Sequence, residues 1–237
     1  MCSLRQYLQE GSGKVRPLGL PVTTCPQRFL ERNLIFEWVG ETLLGTKEPA
    51  VISELPFLMS DGEAAKGGDP VGMIDKVLVN PVGSPLMWCA LEMQAVYFSG
   101  KSMENDFKVM RGWTAERIPF PKVHRRPDFR SSGPKRLMPQ LQIKVPTISR
   151  WGKKTAVVVD KAFWESLSKM REVQDVSNSE IAWCVVSFAP STKGRFTLQR
   201  HEVHFTTLSH AVEGLTGGTP MSLASFESEI RARMPRA

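Results

Sequence analysis

Residues 86–98 read as one strand whose two faces are both apolar, apart from Glu92 and Gln94. One face carries Met87, Cys89, Leu91, Met93, Ala95 and Tyr97. The other carries Leu86, Trp88, Ala90, Val96 and Phe98 around the two polar residues. Two apart in an extended chain, Glu92 and Gln94 point the same way. A strand apolar on both sides is expected to be covered on both sides. A carboxylate there is costly unless a cation or hydrogen-bond donors meet it. The preceding apolar run, residues 73–79, repeats the anomaly with Asp75. Between the runs, Asn80-Pro81-Val82-Gly83-Ser84-Pro85 is strong turn chemistry, so a hairpin is expected, across which Asp75 approaches Glu92. Two converging carboxylates are the ligands a hard divalent ion takes. Mg2+ held this way grips a phosphate and activates a water for in-line attack. A structural polar pair, or a strand end that reaches solvent, is the competing account, and the residues alone leave both open.

Three other patterns imitate chemistry. Pro127-Asp128 followed by Gln142-Ile143-Lys144 places one acid before a lysine. It supplies a single carboxylate, Asp128 lies in a Pro/Arg-rich loop, and Lys144 reads as a phosphate contact or solvated residue on a short strand. Gly11-Ser12-Gly13-Lys14 lacks the upstream glycine of a phosphate-binding loop, has Val15 where a hydroxyl is needed, and follows no strand. His201-Glu202-Val203-His204 sits on an expected strand, where its two histidines face opposite ways and read as exposed.

Charge narrows the partner. The 237-residue chain carries a net +7, and residues 117–154 hold eleven basic residues against one acid, Asp128. That segment is +10, leaving −3 for the remainder. Concentrated positive charge on an otherwise mildly acidic chain suggests a polyanion such as nucleic acid, with a solvated basic surface as the alternative. For DNA contacts the choice falls on Arg125, Arg126, Arg130, Lys135, Arg136, Lys153 and Lys154. Lysines more often grip phosphate, whereas arginine also reads guanine bidentately.

The spacing Asp75-x16-Glu92-x-Gln94 resembles the PD-(D/E)xK nuclease core, with Gln in the place usually held by Lys. Longer stretches sharpen the resemblance. Thr24-Cys25-Pro26-Gln27-Arg28-Phe29, Glu54-Leu55-Pro56-Phe57, Arg126-Pro127-Asp128-Phe129-Arg130-Ser131-Ser132-Gly133-Pro134-Lys135-Arg136-Leu137, Trp151-Gly152-Lys153-Lys154 and Thr207-Leu208-Ser209-His210-Ala211-Val212-Glu213 are similar to NotI-type restriction endonucleases. The resemblance covers most of the chain after residue 20. It implies Mg2+-dependent cleavage of double-stranded DNA at a defined sequence by a Type II enzyme. It further implies a GC-rich palindrome, a homodimer, and a companion DNA methyltransferase in the same system. An acid upstream of the Asp and a Glu-x-Gln pair carry over as Glu54, Asp75, Glu92 and Gln94. In that scheme Asp75 and Glu92 ligate Mg2+, and Glu54 holds a second ion or orients the water. Gln94, which cannot ionise, only orients by hydrogen bonding.

The resemblance also implies a small cysteine-ligated iron site near the N-terminus. Only Cys2 and Cys25 lie there, and Cys89 and Cys184 read as buried thiols. Residues 1–25 are therefore expected to be a remnant of that module, and 26–237 the nuclease domain. Cys2 directly after Met1 hints that the chain begins inside a longer one. Two rival functions stay open: a non-catalytic DNA-binding relative with a decayed site, and a structure-specific repair nuclease of the same fold.

The elements that must position these groups read as mixed α/β: a central sheet flanked by helices, the restriction-endonuclease-like arrangement. Helices are expected over 26–44, 101–113, 162–173, 207–215 and 222–234. Strands are expected over 50–55, 73–79, 86–98, 141–145, 155–160, 181–188 and 196–205. Residues 60–70 and 112–139 read as loops. No stretch of 18 apolar residues, no signal segment and no Cys-x-x-Cys pair occurs, so a cytoplasmic chain with reduced thiols and no membrane partner is expected.

Overall fold

The computed structural model describes residues 2–11, 14–60, 69–82, 84–100, 102–112, 125–191, 195–218 and 221–234. The chain opens with an antiparallel hairpin, β1 (Ser3–Gln9) and β2 (Val15–Thr23). A 3-10 segment, Pro26–Asn33, leads into α1 (Leu34–Leu44). Three sheet strands follow: β3 (Ala50–Met59), β4 (Pro70–Asn80) and β5 (Met87–Met93). A short ladder pairs β6 (Tyr97–Phe98) with β7 (Pro127–Asp128) around α2 (Glu104–Arg111). Next come α3 (Phe129–Ser132), a π-helical segment Gly133–Leu137, and α4 (Met138–Arg150). Strand β8 (Lys154–Asp160), α5 (Lys161–Glu165), the hairpin β9 (Ile181–Pro190) and β10 (Phe196–Thr206), α6 (Leu208–Thr216) and α7 (Leu223–Arg233) complete the order.

Six strands form the central sheet in the order β10-β9-β8-β5-β4-β3. Strand β8 runs parallel to both β5 and β9, and the remaining pairs are antiparallel. The middle strands are apolar on both faces because both are covered. Val157, Val159, Trp183 and Val185 pack beneath Leu141 and Val145 of α4, Phe163 of α5 and Ala211 and Leu215 of α6. Their sequence neighbours Ala156, Val158, Cys184 and Val186 point the other way, onto Ile35, Trp38 and Val39 of α1. This is the expected mixed sheet flanked by helices. No helix among the described residues is long and apolar enough to cross a membrane.

Several expected elements change. Residues 141–145 are not a strand but the middle of α4. Leu141, Lys144, Val145 and Ile148 repeat at helical spacing and are all buried. Pro139 in the first turn suits the helix start. Pro146, inside the helix, is the residue that argues against it in the sequence. The expected loop 112–139 holds β7, α3 and the π-helical segment from residue 127 onward, while residues 113–124 lie outside the described residues, with Arg117 and Lys122 among them. So do Ser12 and Gly13 of the glycine-rich pattern and most of the 60–70 loop. Helix 26–44 splits at Arg32 and Asn33, both left-handed at φ 55 and 56. Helix 162–173 is only the five residues of α5, closed by Ser166, whose hydroxyl donates to the Phe163 carbonyl. The long strand 86–98 stops at Met93.

Candidate active site

Strands β4 and β5 pair through Lys76↔Leu91, where the ladder ends. The next positions in that register are Asp75 and Glu92. Strand β5 stays in the sheet there, because Glu92 and Met93 still pair with Val157 and Val158 of β8. The carboxylates therefore stand at a fork, with one strand held and the other leaving. Glu92 is 4% exposed. Asp75 differs from the expectation of a buried acid: its side chain is 62% exposed.

The cation that a buried Glu92 needs is Lys144. Its ammonium pairs with Glu92 Oε1, lies 3.7 Å from Asp75 Oδ1, and donates to Gln140 Oε1 at 3.4 Å. It is itself buried. The sequence places Lys144 on a short strand beside Asp128, as a phosphate contact or a solvated residue; the fold instead delivers it from α4 to the other acid pair. The signal that could have found it is a lysine inside an apolar helical stripe, which is expensive unless an acid waits there. Burial pushes the Glu92 carboxyl up to about 7, Asp75 adds to the rise, and Lys144 opposes it.

Glu54 falls between the pairs Ser53↔Lys76 and Leu55↔Ile74 of the β3–β4 ladder, and so lies opposite Asp75. It is exposed, with a left-handed φ of 57 that non-glycine residues rarely adopt in a strand. Gln94 lies just past the end of β5 and is buried. Its backbone N–H donates to the Val158 carbonyl at 3.0 Å, and its side-chain amide donates to the Ala95 carbonyl. That amide is engaged with local backbone rather than with either carboxylate.

The donor set suits Mg2+. Two carboxylates and the Gln140 amide oxygen converge on a single positive charge, and all are hard oxygen donors. Mg2+ is usually held by one or two carboxylates, with water and substrate phosphate completing its shell. Asp75 leaves that side open to solvent. Among the described residues no group of three or more His, Cys, Asp or Glu side chains gathers as a metal site, so the fit rests on the acid pair. The cysteines fit iron less well. Cys2 and Cys25 are neighbours, and burial together with Cys25 raises the Cys2 thiol. Cys89 and Cys184 belong to the core under α1. Two thiols fall short of the donors that a four-thiolate site takes.

The basic residues divide. Arg126, Arg130, Lys135 and Arg136 are exposed. The Arg136 guanidinium sits 3.8 Å over the ring of Tyr97. Arg125 is committed internally, paired with Asp106 at 2.7 Å and donating to the Ser99 and Ser102 carbonyls. Lys154 donates to the Ser177 and Ser179 carbonyls, and burial lowers its ammonium from the usual lysine range. Lys153 donates to the Leu86 carbonyl at 2.8 Å. His201 and His204, expected on opposite faces, both reach Glu202 at 3.2 Å. The register shift between Arg200 and Glu202 undoes the alternation.

A mixed six-stranded sheet flanked by helices is the architecture of a restriction-endonuclease-like fold. The family model described as restriction endonuclease NotI matches residues 1–198, and the chain belongs to the NotI restriction endonuclease family. No curated protein matches the chain. The matched span contains Glu54, Asp75, Glu92, Gln94 and Lys144, and leaves α6 and α7 outside it.

Proposed function

We propose that this chain is a Type II restriction endonuclease that hydrolyses phosphodiester bonds of double-stranded DNA with Mg2+. The site is a GC-rich palindrome, and the active form a homodimer cutting both strands. One observation carries the reading: the Asp75 and Glu92 carboxylates meet on one ammonium, that of Lys144, where β4 parts from β5, so a divalent ion could be shared between the same two acids.

In this mechanism Asp75 and Glu92 would hold the metal, in a variant of the PD-(D/E)xK arrangement. When bound there, Mg2+ neutralises charge on the scissile phosphate and makes a water more acidic. Asp75, facing solvent, presents that position to the DNA backbone. Glu92, held rigid by its pairing with β8, fixes the inner side. Glu54, opposite Asp75, orients the attacking water or supports a second ion. Gln94 bears no charge and acts by hydrogen bonding, after releasing the Ala95 carbonyl. The exposed Arg126, Arg130, Lys135 and Arg136 grip phosphates or read bases, and Lys153 and Lys154 close the same basic segment.

The deciding experiment is incubation with mixed genomic DNA and Mg2+, followed by sequencing of fragment ends. Discrete ends within one palindromic sequence support the reading. Random ends replace it with a general or structure-directed nuclease. Intact DNA that the protein still retains on a filter replaces it with a non-catalytic binder.

A further inference from the structure

We propose that Lys144 is the catalytic cation of this site, delivered from helix α4 to the position that Gln94 cannot serve, where its ammonium contacts the scissile phosphate. The inference rests on the nuclease reading and adds a residue to it. Four observations support it.

First, the chain lacks a lysine two residues after Glu92, where Gln94 stands. A neutral amide cannot offset the charge that builds on a phosphate under attack. Second, Lys144 is one of the few buried charged groups among the described residues, and its ammonium lies against both carboxylates of the fork. Third, α4 is anchored for this placement. Leu141, Val145 and Ile148, on the same face, are fully buried, so the helix cannot turn Lys144 away without lifting its apolar stripe from the sheet. Fourth, Gln140, one turn earlier, accepts from the ammonium and restricts its rotamer.

A purely structural lysine would need no open side. Here Asp75 is solvent-facing, so the ammonium sits at the boundary between core and solvent. With a metal held by the two carboxylates, the ammonium would remain beside them and could donate to an oxygen of a bound phosphate. A lysine is suited to that role as a compact, mobile point charge. No bond to Lys144 forms or breaks: it donates hydrogen bonds and neutralises charge.

The test compares the parent chain with Lys144→Gln and Lys144→Arg. Each is first shown to be folded by circular dichroism, and Lys144→Arg keeps a charge opposite Glu92 should the neutral variant not fold. Cleavage of mixed genomic DNA with Mg2+ is measured beside direct Mn2+ binding at alkaline pH, read by electron paramagnetic resonance without DNA. Lys144→Gln is expected to lose about a hundredfold or more in cleavage rate. It is expected to bind Mn2+ more tightly, because a positive charge has left the carboxylates. Lys144→Arg is expected to recover part of the cleavage. A folded Lys144→Gln that cleaves within a few-fold of the parent overturns the inference. So does Mn2+ binding that is equal to or weaker than the parent's, since the ammonium then does not share the metal position. Absence of cleavage by the parent chain is a different failure: it removes the nuclease reading itself.

Discussion

Glu92 on β5 and Lys144 on α4 form an ion pair in which both side chains are less than a tenth exposed, across a separation of 52 residues. A buried pair of this kind is weak support for stability, because desolvating two charges offsets most of their attraction. Its position beside a solvent-facing Asp75, at the point where two strands separate, is what gives it a functional meaning.

Asp75→Asn and Glu92→Gln should each lower Mg2+-dependent cleavage by about a hundredfold or more while leaving DNA retention in Ca2+ intact. Of the two positions, Glu92→Ala should also destabilise the fold, since it removes the nearer of the two acids that meet the Lys144 ammonium and empties a buried position. Asp75→Ala, at an exposed position, should not. Chemical denaturation separates these effects, and a Glu92→Ala protein as stable as its parent would remove the buried pair from consideration.

The metal-free protein should become less stable as pH rises from about 4.5 to about 7. Glu92 has a folded value of about 7, above its ordinary 4.5. Its folded form therefore binds the proton more tightly than the unfolded chain does. The associated stability is complete below the unfolded value and is lost on passing through the folded one. Thermal melts in a chelating buffer should show this slope in the parent and a flatter one in Glu92→Gln. Identical slopes would mean that Glu92 does not titrate in this window.

Replacing Arg130, Lys135 and Arg136 together by alanine should weaken binding to duplex DNA and reduce its salt dependence, by about one unit of slope for each phosphate no longer neutralised. Arg125→Ala should act differently, lowering stability because its partners Asp106, Ser99 and Ser102 belong to the chain itself and tie Arg125 to the segment before and within α2. Binding isotherms at several salt concentrations decide the first point. An unaltered slope in the triple variant would move the DNA face elsewhere.

Burial pushes both Cys89 and Cys184 up to about 12. In native buffer near neutral pH these thiols should resist an aromatic disulfide reagent, and react only on unfolding. Cys2 and Cys25, half-buried at the N-terminal hairpin, should react first. Four thiols titrating together without denaturant would contradict the packing of the α1 face.

The sheet is legible in the sequence because β8, β9 and β10 are continuous apolar or alternating runs bounded by polar turns. The acid pair is legible for the opposite reason: Asp75 and Glu92 interrupt such runs. What the sequence hides is α4. Gln142-Ile143-Lys144-Val145-Pro146 looks extended to local propensity, since β-branched residues lead into a proline. Only the longer stripe Leu141, Lys144, Val145, Ile148 shows the helix, and packing against the sheet overrides the local preference. Lys144 consequently sits, in the sequence, beside the wrong acid. Composition misleads at Arg125, because a tally of charges does not show that Asp106 lies 2.7 Å away. The shared approach of two histidines to Glu202 is hidden by a bulge, which shifts every alternation argument downstream of it.

The Asp160 side chain has a consequence for how this protein can be handled. It is wholly buried, accepts the Phe163 N–H that begins α5, and with its other oxygen accepts the Thr23 N–H at 2.6 Å. Thr23 in turn accepts the Val96 N–H, and Val22 beside it joins the core. The leading hairpin is thus stitched to the sheet at the C-terminal end of β8, three residues past the Val157 that pairs with Glu92. Shaving off those first strands, as one does to tidy a ragged terminus before expression, would unplug a buried carboxylate and slacken the floor beneath the acid pair.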